Sequence, residues 1–412
     1  MSKLSTDPYK GVRDFYPEDM FLEKYIFGTW RKVSEKFGYE EYNASILEPS
    51  ELYKQKSGEE IVNEQTYNFI DRGNRSVTLR PEMTPSVARM VSARRRELGF
   101  PLRWYSIPNL FRYEQPQRGR LREHYQLNVD LFGATGIQAD IEIISVAYEI
   151  MREFGASVDD FEIRISNRDL VYKKLELAGI TDNKERDDYI SLLDKKDKIS
   201  NEEFQTREAQ IVGKNLSIDL NEPDEYTQEI LNNLEMIGIS NARFDPTLFR
   251  GFSYYNGMVF EIFDTNKENR RSLFGGGRYD NLTHLFDNEN TPAVGFGMGD
   301  VTIKDFLETH DLLPDYKSST DIYLITVGKV PENTTESIAS ELRNYNLNTA
   351  VDISGRKIGD QIKTAIKHKI SNVLIVGEEE IKKQKYTLKN LSSEKEYKVS
   401  IDEIANLIQT LN

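Results

Sequence analysis

The stretch from Trp104 to Ala134 constrains the fold more than any other. WYSIPNLFRYE and HYQLNVDLFGA each alternate apolar and polar residues, and the polar loop QPQRGRLRE joins them. A period of two is that of a β-strand. The connection holds no helix, and parallel strands need a longer crossover, so the two runs form an antiparallel pair. The chain is therefore built on antiparallel sheet, with an arginine-rich loop joining these two strands.

The flanking segments extend this sheet. Residues 18–37, EDMFLEKYIFGTWRKVSEKF, carry apolar positions at helical spacing, with acids at the start, Lys32 and Lys36 near the end and Gly38 as the stop. YEEYNASILEP follows as a strand ending at Pro49. TYNFIDR and SVTLRPEMT read as a hairpin turning at Gly73-Asn74, with a helix from Pro85 to about Glu97 after it. Residues 140–154 form an amphipathic helix, and DFEIRISNR is a further strand. A helix followed by mostly antiparallel strands is an α+β core, not a doubly wound sheet.

Between 168 and 240 strand patterns vanish, and pieces such as NEPDEYTQEILNNLEM read as short polar helices. This is a helical insertion within a core made of 1–167 and 241–314. Strands resume at TLFRGFSYYNGMVFEIFD and run through GGGRYD to PAVGFGMGD, before a helix near Val301. After the Pro/Ser linker HDLLPDYKSSTD, the runs DIYLITVG, TAVDIS and SNVLIVG alternate with helices near 334–345 and 357–369. That βαβ order makes 320–412 a separate α/β domain with a partly parallel sheet.

Composition narrows the class. The chain has 412 residues, 38% apolar and 30% charged, which is a soluble multidomain composition. No apolar run reaches the roughly 20 residues of a membrane span, and the N-terminus lacks the apolar stretch of a signal peptide. The default location is cytoplasmic. There is no cysteine, so disulfides, thiolate metal sites and a Cys nucleophile are excluded. His124, His284, His310 and His368 show no ligand spacing, and no protein-held metal is expected. The net charge of −14 disfavours indiscriminate nucleic-acid binding. It leaves room for a local basic patch, and ten arginines lie between Arg80 and Arg122.

Several short segments carry chemistry. Arg112 and Glu114, two apart on a strand, point to one face, where the guanidinium fork suits a carboxylate or an α-phosphate. Arg118, Arg120 and Arg122 in the following loop suit a polyphosphate. Glu82 and Thr84, in LRPEMT, sit at a strand end held by proline. Gln126, Asn128 and Asp130 share one face of their strand. RGFSYY brings Arg250, Tyr254 and Tyr255, and GGGRYD, from Gly275 to Asp280, lets backbone approach a ligand closely. GFGMGD has the wrong spacing for a dinucleotide loop and stands outside a βαβ unit, which argues against an oxidoreductase.

Together these segments resemble the histidyl-tRNA synthetases, class II aminoacyl-tRNA synthetases, over nearly the whole chain. PYKGVRDFYPEDM is similar to the family's first motif, and FRYEQPQRGRLREHYQLNVDLFG to its second. FRGFSYYNGMVFE and GGGRYDNL resemble the two segments peculiar to the histidine enzyme. The C-terminal βαβ unit resembles its anticodon-binding domain. The resemblance implies an antiparallel class II catalytic core and a homodimer. Its implied substrates are L-histidine, ATP with Mg2+, and tRNA(His). By it, Glu82, Met83 and Thr84 receive the α-ammonium side of histidine, Gln126 and Asp130 line the same pocket, and Tyr254 and Tyr255 address the imidazole. Arg112 and Arg250 would hold the carboxylate and α-phosphate during attack, with Glu114, Arg120, Gly277 and Arg278 on the ATP side. Gln115–Arg122 would meet the acceptor stem of the tRNA. The C-terminal domain would read the anticodon with Arg356, Lys357, Lys363, Lys367 and Lys369.

Two departures stand out. Where the family closes its third motif with a Glu-Arg pair, this chain has Val301 and Thr302, so the arginine expected on adenine is missing. Asp300 and Arg278 are the candidates to compensate. Ser253 also stands where Asp is commoner. The rival expectation is a non-catalytic paralogue serving as regulatory subunit of an ATP phosphoribosyltransferase; such paralogues usually lack the C-terminal domain and lose reactive arginines.

Overall fold

The computed structural model describes residues 3–54, 65–193, 199–213, 221–248, 254–266, 269, 272–286 and 289–411. They form two compact units, Met1–Leu313 and Pro314–Asn412.

The first unit opens with helix α1 (Pro17–Lys36). Pro17 fixes the first turn, the Asp19 carboxylate accepts the Tyr16 amide at 3.2 Å, and Gly38 ends the run at φ +81°. The chain continues through β1 (Glu40–Glu41), β2 (Leu47–Pro49), α2 (Glu51–Lys54), β3 (Tyr67–Ile70), β4 (Ser76–Leu79) and α3 (Thr84–Arg94). Next come β5 (Leu102–Ser106), β6 (Asn109–Phe111), β7 (Glu123–Phe132), α4 (Ile137–Glu153) and β8 (Phe161–Asn167). The helices α5 (Arg168–Leu177), α6 (Asn183–Leu193), α7 (Asn201–Val212) and α8 (Glu225–Met236) follow. Then β9 (Ala242–Phe244), β10 (Met258–Asp264), β11 (Ser272–Arg278), β12 (Ala293–Gly299) and α9 (Asp300–Thr309) complete the unit.

Among the described residues the main sheet has nine strands in the order β1-β5-β7-β12-β11-β10-β8-β9, with β6 on the first half of β7. Its pairings are antiparallel except β1 with β5 and β8 with β9. This is the expected α+β core. The single strand expected through Pro49 is two strands: β1 joins the main sheet, whereas β2 pairs with β4 in a separate sheet of order β2-β4-β3. The helix after the hairpin ends at Arg94, short of Glu97.

One face of the main sheet is buried. Leu127, Val129 and Leu131 of β7 enter a core with Ile26 and Trp30 of α1 and Ile143 and Ile144 of α4. Each such side chain contributes roughly 2 kcal/mol by leaving water. Of the helices between 168 and 240, α5, α6 and α7 gather round their own cluster, including Leu175, Tyr189 and Phe204. Helix α8 instead gives Ile230 and Leu234 to the main core, and its Tyr226 hydroxyl donates to Asp140 at 2.5 Å.

The second unit runs β13 (Ile322–Val327), α10 (Glu332–Asn344), β14 (Thr349–Val351), α11 (Ile358–Lys367) and β15 (Asn372–Gly377). It ends with α12 (Glu378–Lys383), β16 (Tyr386–Asn390), β17 (Glu396–Val399) and α13 (Ile401–Leu411). The sheet order is β14-β13-β15-β16-β17, parallel over the first three strands and antiparallel beyond. Both faces are covered: Ile322 and Leu324 pack with α10 and α13, and Tyr323 and Ile325 with Ala365 of α11. The last hairpin and α13 are elements that the sequence reading did not resolve. Among the described residues, no helix is long and apolar enough to cross a membrane.

Candidate active site

Three adjacent strands make the floor of a trough on the other face of the main sheet. Alternation along β7 puts His124, Gln126, Asn128 and Asp130 on this face. Beside it, β12 sets Gly295 against Asp130, Gly297 against Asn128 and Gly299 against Gln126. Next to that, β11 sets Gly275 against Gly297 and Gly277 against Gly295. One strand therefore carries polar side chains while its two neighbours carry none at these positions. The space is real: a Cβ on Gly297 would stand 2.8 Å from Gln126 Nε2, and one on Gly295 2.8 Å from Asp130 Oδ1. GGG and GFGMG are thus strand segments that clear a site, not turns.

The trough has two lobes. The smaller, of about 50 Å³, is lined by Glu82, Thr84, Gln126, Asp130, Tyr254 and Tyr255, together with Asn128 and Tyr279. Glu82 and Thr84 come from the junction of β4 and α3, and the tyrosine pair from the segment before β10. Glu82 is buried and accepts the Tyr254 hydroxyl at 2.9 Å. Asp130 is also buried and accepts two phenols, Tyr279 on Oδ1 and Tyr42 on Oδ2 at 3.2 Å. Burial pushes its carboxyl up to about 6, against the pull of the two phenol bonds. Met83 lies outside the lining, fully buried, with its sulfur 4.0 Å from Arg80 Nη1.

The larger lobe, of about 280 Å³, is lined by Arg112, Glu114, Arg120 and His124 on one side and Phe274 and Thr302 on the other. Arg112 Nε donates to the Pro81 carbonyl at 2.9 Å, which fixes the plane of its guanidinium. Arg120 and Glu114 face each other at 3.5 Å across the loop, which turns at Gly119 with φ +76°. Burial, and the charges of Arg112 and Arg13, push His124 down to about 3, so its ring is neutral at pH 7. Gln126 and Gly297 belong to both lobes. The trough thus suits one elongated ligand with a small polar end and a larger anionic end.

Other residues singled out in the sequence are elsewhere. Gly277, expected on the ATP side, lines neither lobe; a Cβ there would lie 3.2 Å from Tyr255 Cδ1. Arg278 turns away into an ion pair with Asp140 at 2.7 Å and donates to the Gly136 carbonyl at 2.8 Å. Asp300 is fully buried against Arg13 at 2.5 Å and accepts the Tyr125 amide. Neither lines the larger lobe, so neither replaces the missing arginine there. Thr302 directs its hydroxyl to the Leu273 carbonyl at 2.8 Å. The arginine patch is largely engaged internally: Arg118 pairs with Asp305 at 2.8 Å, and Arg122 packs its guanidinium 4.0 Å from the Tyr113 ring centre. Arg250 and Ser253 lie outside the described residues.

Three side chains at the trough escaped the sequence reading as site residues. His124 is two residues from Gln126, so strand parity alone marks it. Tyr279 is inside GGGRYD, whose glycines drew the attention. Tyr42 carries no local signal, because its partner Asp130 is 88 residues away.

Among the described residues no three His, Asp or Glu side chains gather as a metal site. Glu114 is the carboxylate lining the larger lobe. That fits Mg2+ arriving on phosphates, which needs one or two carboxylates and takes the rest of its shell from phosphate and water.

Residues 11–301 match the family model described as histidyl-tRNA synthetase, and 321–411 that of an anticodon binding domain. A histidine–tRNA ligase of Leptospira biflexa is 43% identical over 429 aligned positions, covering 99% of this chain and 98% of its own. The histidine–tRNA ligase of Thermoplasma volcanium is 36% identical, with 98% and 99% covered. Among solved structures, the histidyl-tRNA synthetase of a Nostoc species superposes with a TM-score of 0.80 at 22% identity, over all of both chains. A Bacillus halodurans protein described as an ATP phosphoribosyltransferase regulatory subunit/histidyl-tRNA synthetase gives 0.70 at 22% identity, covering 91% and 99%. At those identities the solved structures speak for the fold.

Proposed function

The chain belongs to the histidyl-tRNA synthetase family, with the activity of a histidine–tRNA ligase, and we propose that histidine and ATP react where the two lobes join. The observation that carries this reading is the pair Gln126 and Gly297, common to a small lobe lined by carboxylates and phenols and to a larger lobe lined by Arg112 and Arg120. Full-length relatives and an anticodon-binding domain support the ligase over the regulatory paralogue.

Histidine lies in the smaller lobe. Glu82 and Thr84 accept its ammonium, with Tyr254 holding one Glu82 oxygen in place, and Gln126 lies at the join. Asp130 accepts an imidazole N–H and Tyr255 faces the ring, so a ligand lacking those nitrogens would leave buried polar groups unpaired. Arg112 orients the carboxylate against the α-phosphate of ATP in the larger lobe, with Arg250 assigned the opposite side by family likeness. The carboxylate is ionised at pH 7 and attacks phosphorus without a general base, and pyrophosphate leaves. Arg112 stabilises the charge that grows on the phosphoryl oxygens, and a fixed donor of this kind is worth about 10²–10³ in rate. Glu114 and Arg120 flank the polyphosphate. Mg2+ bound there supplies charge neutralisation to the phosphates, with Glu114 as its protein ligand.

The histidyl group then passes from the adenylate to a hydroxyl at the 3′ end of tRNA(His), forming an ester as AMP leaves, and the second unit reads the anticodon. Homodimer formation is supported by the exposed apolar side chains Leu47, Phe69 and Ile70 on the sheet β2-β4-β3. ATP–pyrophosphate exchange with each amino acid in turn tests the reading. Exchange should require histidine, fall at least about 100-fold in Arg112→Ala, and disappear in Arg250→Ala. Histidine binding without exchange would instead mark a binding subunit.

A further inference from the structure

Asp130 is held by two phenols from distant parts of the chain. Tyr279, at the end of β11, lines the smaller lobe itself. Tyr42, just after β1, does not: its amide donates to the Tyr105 carbonyl at 2.8 Å, its ring leans on Trp104 at 5.5 Å, and its hydroxyl reaches Asp130 Oδ2 at 3.2 Å from behind. An aspartate carboxylate is short and rotates about one bond, so without fixed partners it presents its oxygens in several directions. Each carboxylate oxygen has two acceptor directions. One phenol on each oxygen therefore fixes the plane of the group and still leaves one direction per oxygen for a ligand.

We propose that Tyr42 is a positioning residue for histidine selection: by donating to the rear oxygen of Asp130 it aims the carboxylate at an imidazole N–H in the smaller lobe. This rests on the reading that Asp130 receives the imidazole. Two donors also favour the ionised carboxylate, the form that accepts an N–H. The groups facing Asp130 are the phenols of Tyr42, Tyr279, Tyr255 and Tyr39, with the Glu82 carboxylate across the lobe and Arg80 acting on Tyr42. The phenols, their pKa values raised, and Arg80 keep one charge state between pH 5 and 8. Glu82 keeps its bond to Tyr254 whether or not the Tyr42 hydroxyl is present.

Steady-state ATP–pyrophosphate exchange on full-length Tyr42→Phe, from pH 5.5 to 8, tests the assignment. The ring and its packing on Trp104 remain, and only the hydroxyl goes, with its bond to Asp130 and its interaction with Ser106. The expected result is a rise of about tenfold in KM for histidine, with kcat and KM for ATP within twofold. The acid limb of kcat/KM for histidine should also move to higher pH, because a carboxylate that loses a donor protonates more readily. The titration of free histidine is common to both proteins and cancels in the comparison. An unmoved histidine KM and acid limb would overturn the proposal, and so would an equal rise in KM for ATP, which marks general damage. Asp130→Asn separates the two layers. If it leaves the histidine KM unchanged, the reading of Asp130 itself fails; if it raises that KM while Tyr42→Phe does not, only the role of Tyr42 fails.

Discussion

His124 is a base kept from its proton. In an unfolded chain an imidazole titrates near 6.5, whereas burial and the nearby guanidiniums push this one down to about 3. As the pH falls through 6.5, the unfolded chain takes up a proton that the folded chain refuses. Its contribution to stability is therefore complete above that pH and is lost progressively below it, at ~1.4 kcal/mol per unit. By pH 5 the loss is about 2 kcal/mol. His124→Gln removes the titrating group, so the variant should lose less stability than the wild type between pH 7.5 and pH 5. Both tryptophans, Trp30 and Trp104, lie in the first unit. Urea titration followed by their fluorescence reads the relevant transition, and equal losses in the two proteins would refute the assignment. The sequence shows His124 in one row with Gln126 and Asp130. It does not show the burial and the two guanidiniums that decide its charge, because Arg13 is far off in the chain.

At the level of elements, the glycine strands β11 and β12 separate fold from function. A Cβ on Gly276 would stand 2.1 Å from the Gly295 carbonyl and 2.7 Å from Phe296 Cα, which is backbone that cannot yield. A Cβ on Gly297 meets the far end of the Gln126 side chain, which can swing aside. Gly276→Ala should thus cost about 1–3 kcal/mol or more of stability. Gly297→Ala should keep its melting temperature within a few degrees and lose at least tenfold in kcat/KM for histidine. Differential scanning calorimetry beside pyrophosphate exchange checks both, and a Gly297→Ala protein as active as wild type would remove Gln126 from the join of the lobes. These strands were legible in the sequence as alternating runs, and GGG as a close approach of backbone. The register was not. Which glycine faces Asp130 depends on strands pairing across more than 100 residues, and the pairing of Glu40 with Trp104 and of Leu47 with Leu79 divides the run ending at Pro49 between two sheets. Tyr42 was invisible for the same reason.

Across the whole molecule, charge is divided unevenly between the two units. Residues 314–412 hold fourteen Lys and Arg against fourteen Asp and Glu, so the entire excess of −14 lies in 1–313. A polyanionic tRNA is repelled by the first unit in general, and the arginine patch within it is engaged with Asp305, Glu114 and aromatic rings. Attraction must come from local cations. In the second unit Arg356, Lys357, Lys363, Lys367 and Lys369 are all exposed, in and beside α11. Each cation that meets a phosphate releases a counterion, and affinity then falls with salt in proportion to the number of contacts. Arg356→Glu with Lys357→Glu should weaken tRNA(His) binding at least tenfold in 0.1 M salt. It should also lower the slope of log affinity against log salt by about two contacts' worth. Pyrophosphate exchange should stay within twofold, because the lobes that bind histidine and ATP are lined only by residues of the first unit. Unchanged affinity and slope would remove this surface from tRNA binding. A parallel loss of exchange would instead mean that the substitutions act on folding rather than on the RNA.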